Sequence, residues 1–350
     1  MGEILDPTMI RWGRVRDDAS EAKVTIDREG AGRDCLALLA NVRTVRHELV
    51  IERNGVREWE GPITLIEDSH DSFSISATDI CFWYSRTVVR HTWSSAKGKT
   101  QYWPEKLKQM LVKDMEDAED EMGINVTSGI HAIWNKDSAR TAGTILPYTQ
   151  ELFTVLDNAA ARGGIDYTVW KRDTYIWDTS DPSMGQTRVL TPDDFVGDFT
   201  VVEYGKEVAT RYYVTSSNKL FSMAEKRSSY YGKVELTNSA YGETEDNDRE
   251  TSQAALDSQA ERNIKNRNIA PVVIRISDNS QLKECVADEL MPMLVPGVYI
   301  PVRSTNTVRK LSQMQKLDSV KVEETENGES VSLSMGLAPG VTPEEMDETT

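Results

Sequence analysis

Three things are scarce in this 350-residue chain, and each scarcity excludes something. Cysteine occurs three times, at Cys35, Cys81 and Cys285. No two are near each other and the number is odd, which argues against a disulfide framework or a zinc ribbon. They read as reduced, buried, small apolar residues, in keeping with synthesis in a cytoplasm. Histidine occurs four times, at positions 47, 70, 91 and 131. No two stand three or four residues apart, so no metal-binding helix is visible, and neither metal nor cofactor is expected. Long apolar runs are missing too. None approaches the roughly 20 residues that cross a bilayer, so no membrane anchor is expected. The opening "MGEILDPTMIRWGRV" has no basic stretch followed by an apolar core, so no signal peptide is visible. Asp6 stands where a myristoylation motif wants Ser or Thr.

Positive charge is also in deficit. Forty Lys and Arg face 57 Asp and Glu, for a formal net charge of −17. A groove that grips phosphates should be basic, so stable nucleic-acid binding is disfavoured. Acid collects in "DMEDAEDE" (114–121), "ETEDNDRE" (243–250) and "PEEMDETT" (343–350), which read as solvated faces or loops. Catalytic signatures are missing. Gly98-Lys99-Thr100 imitates the end of a phosphate loop, but the position that needs the first Gly is Trp93. No Gly-x-Ser-x-Gly elbow occurs. Carboxylate pairs such as Asp68 with Asp71, or Asp193 with Asp194, are too numerous to mark a site. The eight tryptophans are scattered through the first half and read as core or interface anchors. No enzymatic activity is expected.

What is present is strand pattern. In residues 1–98, "RHELVIERNGVREWEG" holds two runs joined by Asn54-Gly55, a strong hairpin signal. "DSFSISATD" alternates, with Phe73, Ile75 and Ala77 on one face and Ser72, Ser74 and Ser76 on the other. A short helix is expected over 33–42. Residues 99–190 read as an α/β unit. Leu107, Met110, Leu111, Met115, Ala118 and Met122 form one helical stripe between Pro104 and Gly123. A second helix spans about 148–162 and stops at Gly163-Gly164, and "IDYTVWKRDTYIWD" reads as a hairpin. Residues 191–335 return to strands around a helix over about 249–267, with Leu256, Ala260 and Ile264 at four-residue spacing. A closing hairpin turns at Asn327-Gly328, setting Val320 and Val322 against Val331, Leu333 and Met335. Residues 336–350 form an acidic tail, expected to be mobile.

Two strands are broken. Gly61-Pro62 interrupts "EWEGPITLIED", and Pro296-Gly297 sits beside the apolar run of "LVPGVYIPV". Gly packs nothing and Pro cannot donate to a ladder, so an interior strand wants neither. A barrel strand, however, must bend to pass between sides, and Gly or a bulge permits it. The alternative is a pair of ordinary turns. The expected fold is mainly β with α: two small, related β-barrels (1–98 and 191–335) with an α/β unit (99–190) inserted between them.

These same residues carry a resemblance. Trp59, Gly61, Pro62 and Ile63, followed by Ala77, Asp79, Trp83 and Arg86, resemble the start of minor tail proteins of long-tailed phages infecting actinobacteria. The Ala-rich helix, strand and Leu-x-Pro-Gly step over 252–302 resemble them too. One departure is Pro301, which points to a sheet edge or bulge. The resemblance implies a non-enzymatic hub of the phage baseplate or tail tip. Three chains with two barrels each would form a ring of pseudo-six-fold symmetry, matching a six-fold tail tube to a three-fold tip. It implies self-association as a homotrimer, contacts with distal tail, tape-measure and tip or fibre proteins, and DNA passage without stable binding. A receptor- or carbohydrate-binding tail protein is the alternative. The chain ends shortly after its last hairpin, so no appended hydrolase domain is expected.

Overall fold

The computed structural model of the chain describes residues 2, 4, 7–94, 101–122, 129–134, 140–141, 144–161, 165–178, 188–197, 199–203, 205–215, 220–228, 231–239, 253–264, 272–276, 280–337 and 344–345. Strand residues outnumber helical ones about two to one, 47% against 24%, so the chain is mainly β with α. It divides into two compact units. One comprises Met1–Asp198, Ile276–Arg303 and Met314–Pro339; the other comprises Phe199–Arg275, Ser304–Gln313 and Gly340–Thr350.

The first unit is built on a large sheet. Strands β1 (Met9–Val15), β2 (Glu21–Asp27), β3 (Glu48–Arg53), β4 (Val56–Asp68) and β5 (Ser72–Thr78) take the order β1-β2-β5-β4-β3. Beyond β1 the sheet continues through strand Leu311–Thr325 to strand Tyr299–Ser304 at its edge. Pro301 therefore lies in an edge strand, as its missing N–H demands. Asn54 and Gly55 adopt φ of 53° and 72°, the paired left-handed conformation of a tight hairpin turn between β3 and β4. In the alternating strand Phe73, Ile75 and Ala77 are buried as expected, but the serine face is covered as well, with Ser74 buried and Ser72 and Ser76 half-buried. The closing hairpin pairs Val320 with Leu333 and Val322 with Val331.

Against this sheet's end lies an α/β layer. Strands Asp166–Trp170 and Asp173–Trp177 form the expected hairpin, and strand Ile130–Ile133 adds in parallel. Helices α3 (Trp103–Met122) and α4 (Leu152–Ala161) cover it, burying Leu107, Met110, Leu111, Met115, Leu152 and Leu156. The short helix α2 (Cys81–Tyr84) delivers Cys81, Trp83 and Tyr84 to the same core. The expected burial of the cysteines holds for Cys81 alone: Cys35 is half-buried and Cys285 is exposed. Helix α1 is confined to Arg33–Leu39, and only Leu39 is buried in it.

The second unit contains a three-stranded sheet. Strand Arg211–Thr215 is central, antiparallel to Phe221–Glu225 and parallel to Glu235–Ser239. Helix Gln253–Ile264 lies on it through Leu256, Ala260 and Ile264, which meet Tyr212, Val214 and Ala224. Strands Phe199–Glu203 and Val272–Ile276 pair separately.

Two sequence expectations need adjusting. Among the described residues no sheet closes on itself, so the two barrels are not seen as closed structures. The strands of 299–337 join β1 rather than a sheet of their own, because β1 has an unsatisfied edge beyond β2 and strand Leu311–Thr325 is long enough to fill it. Gly98-Lys99-Thr100, Gly123, Gly163-Gly164, the acidic run 243–250 and most of the tail 336–350 lie outside the described residues.

Candidate functional site

The broken strand β4 changes partner at its break. Residues 56–62 pair with β3, and from Ile63 onward β4 pairs with β5, with a register shift between Ile63 and Leu65. At the crossover the backbones nearly touch. A Cβ placed on Gly61 would lie 2.0 Å from the Thr78 carbonyl oxygen, far inside contact distance. Glycine is required there to let β4 cross the end of β5.

The other motif residues converge on the same crossing. Ile63 is opposite Ala77 in the ladder. The Trp59 indole donates to Ser20 Oγ at 3.0 Å. Ser20 in turn donates from its amide and hydroxyl to Asp79 Oδ2 at 2.6 and 2.7 Å. The Cys81 amide donates to Asp79 Oδ1 at 2.9 Å, which starts α2. Asp79 is 1% exposed. Burial pushes its carboxyl up from the ordinary range, and the donors from Ser20 and Cys81 oppose that shift. Trp59, Gly61, Ile63, Ala77 and Asp79 are thus one structural knot joining β2, β4, β5 and α2.

The second break differs. Pro296 and Gly297 form a turn ahead of strand Tyr299–Ser304 rather than a bend within a strand. Gly297 has φ +97°, and a Cβ there would lie 2.1 Å from the Trp177 ring. Its amide donates to the Leu317 carbonyl at 2.6 Å. The glycine is needed for both conformation and contact, and it seats the turn against a buried tryptophan.

Beside these knots runs a buried charge network that no motif announced. Arg14 is fully buried, ion-paired with Glu58 and donating to the carbonyls of Met291 and Leu294 at 3.0 and 2.9 Å. Its guanidinium faces the rings of Trp12 and Trp170, 5.3 and 5.7 Å away. Burial lowers its pKa to about 10 while Glu58 opposes the fall. Two residues on, Arg16 binds Asp166 at 2.8 Å and Asp318 at 2.7 Å. Lys316 pairs with the other oxygen of Asp166. Asp17, with φ 58°, accepts from the Tyr167 amide at 2.9 Å. Burial and the neighbouring Asp166 raise Asp17 to about 6. The network ties β1 to the α/β hairpin and to strand Leu311–Thr325. Its signal in the sequence is faint: Trp12 and Arg14 share a face of β1, whose period is two, and Arg16 follows at the same spacing just past the strand's end.

The chain resembles tail proteins in fold. It aligns with the 43 kDa tail protein of prophage MuSo2 from Shewanella oneidensis at TM-score 0.54 and 11% identity, covering 94% of this chain and 93% of that one. A tail protein from Neisseria meningitidis MC58 aligns at 0.54 and 11%, covering 94% and 91%. Prophage tail protein gp18 from Listeria monocytogenes EGD-e aligns at 0.53 and 11%, covering 96% and 90%. No protein-family model and no curated protein sequence matches the chain.

Two further features bear on what such a fold does here. Trp12, Trp59, Trp83 and Trp177 are buried, Trp93, Trp103 and Trp170 are half-buried, and Trp134 is exposed at 38%. No helix among the described residues is long and apolar enough to cross a membrane. One titratable cluster lies apart from the knots. His91 Nδ1 sits 2.6 Å from Asp114 Oδ1, and its Nε2 lies 3.3 Å from Asp117 Oδ2. The spacing of histidines in sequence could not show it, because the partners are Asp residues of α3, more than twenty positions away.

Proposed function

We propose that this chain is a structural protein of a phage tail tip, acting as a hub without catalysis. In this reading three copies form a ring, each contributing two related β units, that joins the tail tube to the tip and lets DNA pass. The observation that carries it is the tail-protein fold over 94% of the chain, matched to 93% of the Shewanella prophage protein without a large unaligned region in either. The change of partner in β4 at Gly61-Pro62 supports a strongly bent first β unit, as a barrel would need. Neighbours would be distal tail, tape-measure and tip or fibre proteins, and the protein would reside in the virion, in the tail of a long-tailed phage.

The net charge of −17 supports the passage role. Each Lys or Arg facing the lumen would add phosphate affinity and friction, whereas Asp and Glu repel the duplex. A receptor- or carbohydrate-binding role would require an exposed aromatic platform, and glycan-array binding would favour it over the hub. The deciding experiment is to label the protein in intact virions and locate it by electron microscopy. Label at the tail tip with three copies per particle is expected; label along the tail or on peripheral fibres would overturn the hub reading.

A further inference from the structure

His91, Asp114 and Asp117 bring metal-ligating atoms within 4.8 Å of one another. We infer that this cluster is a divalent-cation site of the zinc class, with His91 Nε2 and Asp117 Oδ2 as ligands. The reasoning starts from the imidazole. A neutral ring has one N–H and one lone pair, yet both ring nitrogens of His91 face carboxylates. Asp114 is fully buried, and its Oδ2 is already occupied by the Trp93 indole, which donates at 3.0 Å. Its Oδ1 therefore takes the Nδ1–H and fixes the ring. This is the arrangement in which a metal-bound histidine donates its other N–H to a carboxylate.

In a neutral ring so fixed, Nε2 carries the lone pair and faces Asp117, and two acceptors 3.3 Å apart need something positive between them. A proton can serve, and so can a metal. For ligands about 2.0–2.1 Å from a tetrahedral zinc, the edge between two of them is roughly 3.3 Å. Lys113 occupies Asp117 Oδ1 at 2.7 Å, which leaves Oδ2 for the cation. Asp120, one turn further along α3, lines the same concavity with Tyr148 and Arg90, so water would complete the coordination of a bound ion. The mixed N and O donors favour zinc over calcium or magnesium. The consequence would be to clamp the segment around residues 88–94 to α3.

The test is zinc titration of the full-length chain, stripped with chelator, by calorimetry, with nitrogen NMR of the imidazoles. One zinc per chain is expected, with His91 fixed as the Nδ1–H tautomer and protons released on binding. His91→Ala should abolish the site. Asp117→Asn should weaken it by roughly 100-fold and Asp114→Asn by roughly 10-fold, the latter as an outer partner. Asp71→Asn, on an exposed loop, should change nothing. His91 and Asp117 are partly exposed, so the variants should fold, which circular dichroism checks. Absence of stoichiometric zinc uptake, or uptake that survives His91→Ala, would overturn the proposal. A doubly protonated His91 unmoved by zinc would do so as well, and would leave a simple ion-pair clamp.

Discussion

At the scale of single residues, the sharpest constraint is Gly61. A methyl there meets backbone, the Thr78 carbonyl at 2.0 Å, and backbone cannot rotate aside. Gly61→Ala is therefore expected to cost about 3 kcal/mol or more, as overpacking of an unyielding contact does. Gly55→Ala is the internal control, since its φ is +72° but open space surrounds it. It should cost about 1 kcal/mol, from left-handed strain alone. Urea unfolding of both variants checks the difference; equal losses would mean that the β4–β5 crossing is looser than described. Asp17 gives a second test, through pH. Its carboxyl is raised from 3.8 to about 6 by burial and by Asp166. Folding thus takes up a proton, so the stability linked to this group is fully present below about pH 4 and is lost as pH rises through 6. Asp17→Asn keeps an oxygen for the Tyr167 amide and tolerates the left-handed backbone. It should leave stability unchanged near pH 4 and raise it at pH 7 by on the order of 1–2 kcal/mol. A loss at pH 7 would show that the ion pair of Asp17 with Arg16, at 3.5 Å, outweighs the repulsion.

At the scale of elements, the sequence reveals the buried face of several elements but seldom their partners. Alternation gave β5 its core side, Asn54-Gly55 its hairpin, and the stripe Leu107 to Ala118 the buried side of α3. Each is a local signal, carried by residues a few positions apart. The pairing of β1 with strand Leu311–Thr325 joins segments some 300 positions apart, and periodicity holds no information about it. For the same reason nothing within residues 1–98 marks Cys81, Trp83 and Tyr84 as members of the α/β core, or Arg14 and Glu58 as a pair. That pair links β1 to β4 and allows a direct test. Arg14→Met alone leaves the Glu58 charge buried and unpaired, and should cost about 3–5 kcal/mol. Arg14→Met with Glu58→Leu removes both charges and should recover most of that loss. A denaturant-based double-mutant cycle measures the coupling, and additive losses would mean that the two side chains do not stabilise one another.

At the scale of the whole molecule, two properties follow from the proposed ring and can be read on purified protein. The first is mass. Light scattering over a range of concentrations should give three chains of 39.4 kDa each, without dissociation on dilution. A monomer at every concentration would confine the ring to assembly with neighbouring tail proteins or favour a peripheral role, and the virion label separates these. The second is indifference to DNA. A phosphate-binding ring would lose affinity steeply between about 50 and 200 mM salt as counterions are released. A chain with 57 acidic residues against 40 basic ones should show no retention of duplex DNA even at the lower salt. The two measurements are linked by what a conduit needs: a closed ring sets the opening, and a repulsive wall keeps the passing duplex from sticking to it. Tight, salt-sensitive DNA binding by a stable trimer would preserve the ring and reject the repulsive lumen. A monomer that ignores DNA would leave the acidic surface with no lumen to line, and its charge would then serve solubility alone.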